Sequence, residues 1–217
     1  MLVKIFTGFI AECALIIIRQ VEGLITPSVP NYWSNGKKEN IIIIPGFAEG
    51  WNFLSVIGNF LNEKGYKIHF PVSLGHGMLP IDKSVELIEE YVESHKLRNV
   101  TLISHSKGGI IAKLLLDRTS KVKRVISISV PYKGTIWGYW PTFSLRELSY
   151  DSRVLKEVNR KSKNNSKITN VYSKYDLHIL PSSHSYLRGA KNIRVDVVGH
   201  TRILEDEKTL KLIEENL

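Results

Sequence analysis

Along this 217-residue chain, short runs of consecutive apolar residues alternate with longer stretches in which apolar positions recur every three or four residues. The short runs are residues 41–45 (IIIIP), 66–70 (YKIHF), 99–104 (NVTLIS), 122–130 (VKRVISISV), 166–173 (SKITNVYS) and 192–198 (NIRVDVV). Between and after them, helical spacing is expected over about 51–64, 81–96, 107–118 and 151–160, with a closing helix from about Glu205. Strand and helix in alternation mean crossover units and a parallel sheet. Ile41 to Ile44 are apolar on successive positions and Val125 to Val130 are so apart from the small Ser127 and Ser129, as strands covered on both faces must be. The pattern therefore predicts an α/β fold of about six mainly parallel strands with helices on both faces.

The first forty residues read differently. Residues 5–18 are almost wholly apolar, with Glu12 the one charge among them, and a helix is expected. Lys4, Gly8, Glu12 and Arg19 gather on one side of the helical wheel, leaving a broad arc of Ile5, Phe6, Phe9, Ile10, Cys13, Ile16 and Ile17. Glu12 inside the run, Arg19 ending it and the lack of a small-x-small site argue against a cleavable signal peptide and against a spanning helix. Two destinations stay open for the apolar arc: packing on the domain or on a second subunit, or a membrane interface. Residues 2–20 are thus a candidate contact with a membrane surface or a second copy. Residues 26–40, with two prolines, a glycine and several Asn and Ser, read as an irregular connector. The expected division is 1–40 for apolar helix and connector and 41–217 for the main domain.

Charge and cysteine content narrow the field. The net charge of +9 raises nucleic acid as a partner, but the basic residues are scattered and form no stripe interleaved with stacking aromatics, so no nucleic-acid role is expected. One cysteine allows no internal disulfide, and no Cys/His spacing suits zinc, so no metal is implied. One cysteine fits cytosol and exterior alike, so the compartment stays open, with the cytoplasm or a membrane periphery the expected place.

Candidate chemistry centres on Ser104-His105-Ser106-Lys107-Gly108-Gly109, where a strand gives way to a helix. A nucleophilic serine needs a tight turn exposing its hydroxyl, with small residues two before and two after it so that strand and helix can approach. Ser106 is the centre of such a turn, Ser104 and Gly108 the small neighbours. The Gly turn after the buried run 41–44 offers a second oxyanion donor, which makes the backbone N–H groups of Phe47 and Lys107 the candidate oxyanion hole. A serine also needs a base, and the base a carboxylate. Asp176 and His200 both follow strands, in the chain order expected on such a sheet. Asp196 is a rival acid in mid-strand, and His105, next to the serine, is expected to point away and pack. His76 reads as a turn residue.

These residues give the chain its resemblance to the lipase and esterase branch of the α/β-hydrolase superfamily, in particular the small bacterial triacylglycerol lipases and esterases. The resemblance runs from about Ile41 to Leu217 and rests on PGF at 45–47, SHSKGG at 104–109, VPYKGT at 130–135, SLREL and SRVLKEVN within 144–159, YSKYD at 172–176 and VVGH at 197–200. It implies a compact α/β-hydrolase fold with a cap or lid at about 134–165, Ser106 as nucleophile, Asp176 as acid, His200 as base, the N–H groups of Phe47 and Lys107 as oxyanion donors, and no cofactor. Departures are Pro45 where the family has His, Ser104 for Gly, Tyr132 for His, and Lys107 for Met or Gln, which is expected to put a cation beside the nucleophile. The aromatics Trp137, Tyr139, Trp140 and Phe143 of the cap segment suit an acyl-binding wall. The expected activity is cleavage of carboxylic esters or lipids. A thioesterase, amidase or acyltransferase with the same triad, and a binding protein without catalysis, stay open.

Overall fold

The computed structural model describes residues 2–26 and 28–217, apart from the side chains of Leu2, Lys4 and Phe143. Its strands are β1 (Asn40–Ile44), β2 (Lys67–His69), β3 (Val100–His105), β4 (Val122–Ile128), β5 (Ile168–Tyr175) and β6 (Lys191–Val198). They form one sheet in the order β2-β1-β3-β4-β5-β6, with every neighbouring pair parallel. The helices are α1 (Leu2–Ile25), α2 (Ser55–Glu63), α3 (Ile81–Ser94), α4 (Lys107–Arg118), α5 (Phe143–Arg146), α6 (Arg153–Arg160) and α7 (Glu207–Glu215).

The run of four isoleucines in β1 explains why both faces of the sheet need helices. Ile42 and Ile44 join the core made with Val85 and Ile88 of α3 and Ile110 of α4, while Ile41 and Ile43 join the opposite core with Ile57 and Leu61 of α2 and Ile213 of α7. Successive strand residues point to opposite faces, so an unbroken apolar run is buried on both. The connector is part of this packing too: Trp33 is buried in the second core, and its indole N–H donates to Asn59 Oδ1 at 2.8 Å. Gly58 makes room for it, since a Cβ there would lie 2.2 Å from the Trp33 ring.

Differences from the expected elements are local. Residues 51–64 divide into a 3-10 turn, Trp51–Leu54, and then α2. The strand expected over 122–130 ends at Ile128, where β4 gives way to a loop.

The largest difference concerns the N-terminal helix, which continues to Ile25 and lies on the domain by its polar side. Glu12 is 2% exposed, whereas Phe6 is 68% and Ile17 63% exposed. Gly8 lets the helix approach β6, its Cα carrying no Cβ that would meet Val198 at 2.6 Å. Arg19 donates to Glu205, and the Arg202 guanidinium donates to the Val198 carbonyl at 2.9 Å and to that of Gly8 at 3.5 Å. Ordinary amphipathic packing on a domain is thereby largely inverted, because buried polar groups inside find partners while Phe6, Ile10, Cys13 and Ile17 of the apolar arc stay outside and Ile5, Phe9 and Ile16 are half-buried. No helix among the described residues is long and apolar enough to cross a membrane.

Candidate active site

The sheet order reverses beside β1: the chain leaves β1 for β2 on one side and returns to β3 on the other. Loops after two such strands diverge and leave a crevice at their carboxyl ends. Ser106 stands in that crevice. Every residue of β3 is buried, and the strand breaks abruptly at Ser106, whose φ of 49° and ψ of −123° lie where a side chain is strained. Such a conformation costs about 1–3 kcal/mol and persists only where the surroundings enforce it. Here they do: the Ser106 N–H donates to the Ile128 carbonyl at 2.9 Å, and α4 begins at the next residue. Gly108 is required because a Cβ would lie 2.5 Å from the Ile44 oxygen and 2.6 Å from that of Pro45. Gly109 is required against Val130 in the same way.

Asp176 follows β5 and His200 follows β6, and both are buried. Asp176 Oδ2 lies 2.8 Å from His200 Nδ1, and Oδ1 accepts the N–H groups of His178 at 2.8 Å and Ile179 at 3.0 Å. Burial opposes charge on Asp176, but the His200 ring and these N–H donors outweigh it and hold the carboxyl below its usual range. Burial likewise opposes the His200 imidazolium, and the Asp176 carboxylate outweighs it, raising His200 above an ordinary histidine. An ionised Asp176 on Nδ1 keeps the proton there and leaves Nε2 as the basic nitrogen.

Ser106 and His200 line one cavity of about 330 Å³. Its wall is mainly apolar and includes Phe47, Phe53, Trp137, Trp140, Leu145 and Ile179. Of the four aromatics expected to bind substrate, Trp137 and Trp140 face this space. Tyr139 is not part of that wall; it is exposed, its hydroxyl donating to Asp151 at 3.3 Å. Phe143 opens α5, and its side chain is outside the described residues. Lys107 contributes the first N–H of α4, one that a helix leaves without an internal partner.

The Lys107 side chain corrects the expectation of a cation beside the nucleophile. Its buried Nζ turns away and donates to the carbonyls of Gly77, at 3.2 Å, and Leu79, and to the hydroxyl of Ser144 on α5. Burial lowers the ammonium to about 8, with Glu147 acting in the other direction. The residue fastens α5 and the 77–79 turn to α4 instead of pointing at Ser106.

Three acid-base groups around the site escaped the sequence reading. Glu49 is buried, accepts the Gly46 N–H at 2.7 Å and sits 2.7 Å from His105 Nδ1. His105 packs away from the serine as expected, but it also reaches the His200 carbonyl with Nε2 at 3.0 Å. Glu12 accepts the N–H groups of His200, Thr201 and Arg202 at 2.8, 2.6 and 2.9 Å. The His178 ring lies beside that of His200, tilted by 48° with ring centroids 4.6 Å apart, and burial together with the neighbouring His200 takes it down to about 4, so it is neutral near pH 7. Asp176, His178 and His200 are close enough to suggest a metal trio, but both Asp176 oxygens are already committed to the partners above. Asp196 is exposed and pairs with Lys174 at 3.7 Å, and His76 lies in an exposed turn.

No family model matches the chain. It is 27% identical to a carboxylesterase of Bacillus subtilis (strain 168) over 118 residues, 50% of this chain and 47% of that protein. The chain therefore spans about half the length of the curated relative it matches. Among solved structures it is similar to Aspergillus fumigatus lipase B, with a TM-score of 0.70 at 18% identity, covering 86% of this chain and 54% of that one. It is also similar to the mature Bacillus licheniformis lipase BlEst2, at 0.65 and 15%, over 82% and 91% of the two chains. A third is an alpha/beta hydrolase enzyme from the metagenome of Mar Chica lagoon sediments, Morocco, at 0.59 and 19%, over 83% and 90%. The chain has the α/β-hydrolase fold. The proteins it is similar to include a bacterial carboxylesterase and a bacterial lipase.

Proposed function

We propose that the protein is a serine hydrolase that cleaves carboxylic esters through Ser106, His200 and Asp176. The observation that carries this reading is the buried Asp176–His200 pair at 2.8 Å, opening on the same apolar cavity as a serine held in a strained strand-to-helix turn. A buried carboxylate on Nδ1 and a serine in a sharp turn are what acyl transfer requires of a base and a nucleophile.

In the proposed reaction His200 Nε2 takes the Ser106 hydroxyl proton as the oxygen attacks the ester carbonyl. The backbone N–H groups of Phe47 and Lys107 hold the oxyanion of the tetrahedral intermediate. His200 then gives its proton to the departing alcohol, leaving an acyl-serine. Water enters, loses a proton to His200 as it attacks the acyl carbonyl, and His200 returns that proton to the Ser106 oxygen as the acid leaves. Asp176 keeps the ring in one tautomer and steadies the imidazolium in both halves.

Trp137 and Trp140 form part of the acyl-binding wall, within a cap spanning about 134–165 on a catalytic domain of residues 41–217. A cavity of about 330 Å³ is at the small end of ligand sites, which run from about 300 to 1,000 Å³, and favours short or medium acyl groups over long ones. The outward apolar face of residues 2–20 is a contact for a lipid surface, read out by co-flotation with phosphatidylcholine vesicles.

Hydrolysis of p-nitrophenyl esters from acetate to palmitate, compared with Ser106→Ala, tests the activity. Turnover greatest on the shorter esters and lost in the variant is expected. A folded wild type inactive on every ester would move the assignment to thioesters, amides or binding alone.

A further inference from the structure

The loop that carries His200 is held from outside the catalytic sheet. Its first three N–H groups, those of His200, Thr201 and Arg202, open a short 3-10 turn, Arg202–Glu205, and helical turns leave such groups without internal partners. A local Ser, Thr or Asp usually supplies the cap, but Thr201 makes no side-chain capping bond here. Glu12, on α1 and 188 residues earlier in the chain, takes its place and accepts all three donors.

Two further features fit a built contact. Gly199, directly before His200, has a φ of 130°, and a Cβ on it would lie 2.3 Å from Glu12 Oε2. Glycine at this position thus serves the approach of the carboxylate as well as the turn. The other backbone group of His200, its carbonyl, is held by His105, so the base is gripped at both ends of its own residue. Glu12 is also the one charge in an apolar stretch, buried where desolvation makes it costly unless it is fully bonded.

We propose that Glu12 is a positioning residue for His200, fixing the backbone of the base so that the seating of α1 determines whether the triad is assembled. The statement rests on His200 being the base. Charged and titratable groups facing its ring and loop are Asp176 and His178 from the loop after β5, His105 from β3, Glu49 from the loop after β1, Glu12 from α1 and Arg202 from its own turn. Burial opposes the imidazolium, Asp176 and Glu49 favour it, and Glu12 adds to them.

The test compares Glu12→Gln and Glu12→Ala with wild type in the full chain. It measures kcat and KM on p-nitrophenyl butyrate across pH, together with the His200 ring titration by NMR, assigned with His200→Ala. Loss of positioning predicts kcat lower by about 10- to 100-fold in Glu12→Ala, since small misplacements of a reacting group carry penalties of that order. KM is expected to stay within about twofold of wild type, the mark of an interaction acting on the reaction step. Both variants are expected to show the acid limb and the ring midpoint at lower pH, with a smaller kcat loss for Glu12→Gln, which keeps an acceptor. A folded Glu12→Gln with wild-type kcat, acid limb and ring midpoint overturns the proposal. If Glu12→Ala fails to fold, Glu12→Gln decides alone. If the wild type hydrolyses no ester, the functional reading fails separately, and the ring titration still decides what Glu12 does to His200.

Discussion

The proposed nucleophile and the proposed base occupy mechanically different parts of one sheet. Ser106 ends β3, an inner strand buried at every residue, and its turn is shaped by backbone neighbours on both sides, β1 and β4. His200 follows β6, an edge strand exposed at Lys191, Arg194 and Asp196, and its turn is shaped by side chains arriving from elsewhere: Asp176, His105 and Glu12. An inner strand has two paired edges and two covered faces, so its end is located by the sheet itself. An edge strand has one paired edge, so precision at its end must be supplied by additional contacts.

Substitutions can separate the two regimes. The largest effect is expected for Asp176→Asn, which leaves the shape but removes the charge that fixes the His200 tautomer; kcat on esters should fall by about 10⁴-fold, as for triads generally. Gly108→Ala attacks the inner site through packing. Its Cβ would press on two carbonyl oxygens of the β1 end, so stability should fall by about 1–3 kcal/mol, measured by urea unfolding, with activity lost alongside it.

A gentler probe is pH. The base must be neutral to act, and His200 is raised above the ordinary histidine value of about 6.5, so kcat/KM should rise with pH through a midpoint above that value. The smallest effect is expected at Asp196, on the same edge strand but exposed. Asp196→Asn should leave kcat within about twofold of wild type, since an exposed ion pair contributes little.

The same contrast explains what could be read from the chain. The inner site was legible because its requirements are local: an apolar run, a small-x-Ser-x-Gly turn and a helix follow one another between residues 99 and 118. Asp176 and His200 were legible by strand ends and chain order. Their supports were not, because Glu49 follows Gly46 in no recognised spacing and Glu12 lies 188 residues from its partner. Glu12 did leave a signal as a charge in an apolar run, but such a residue reads equally well as a mere interruption until its partners are seen. The apolar arc of α1 left its destination open for a related reason. Amphipathicity says that a helix has two faces, and the buried N–H groups beside His200 decide which one turns inward.

The most direct measurement of the central claim is labelling by a fluorophosphonate probe, with the modified residue located by mass spectrometry. A triad built on Ser106 predicts covalent modification at Ser106 in the wild type, and its loss in His200→Ala and Asp176→Asn when both variants are folded. A folded wild type that stays unlabelled, or that carries the label at another residue, would contradict it.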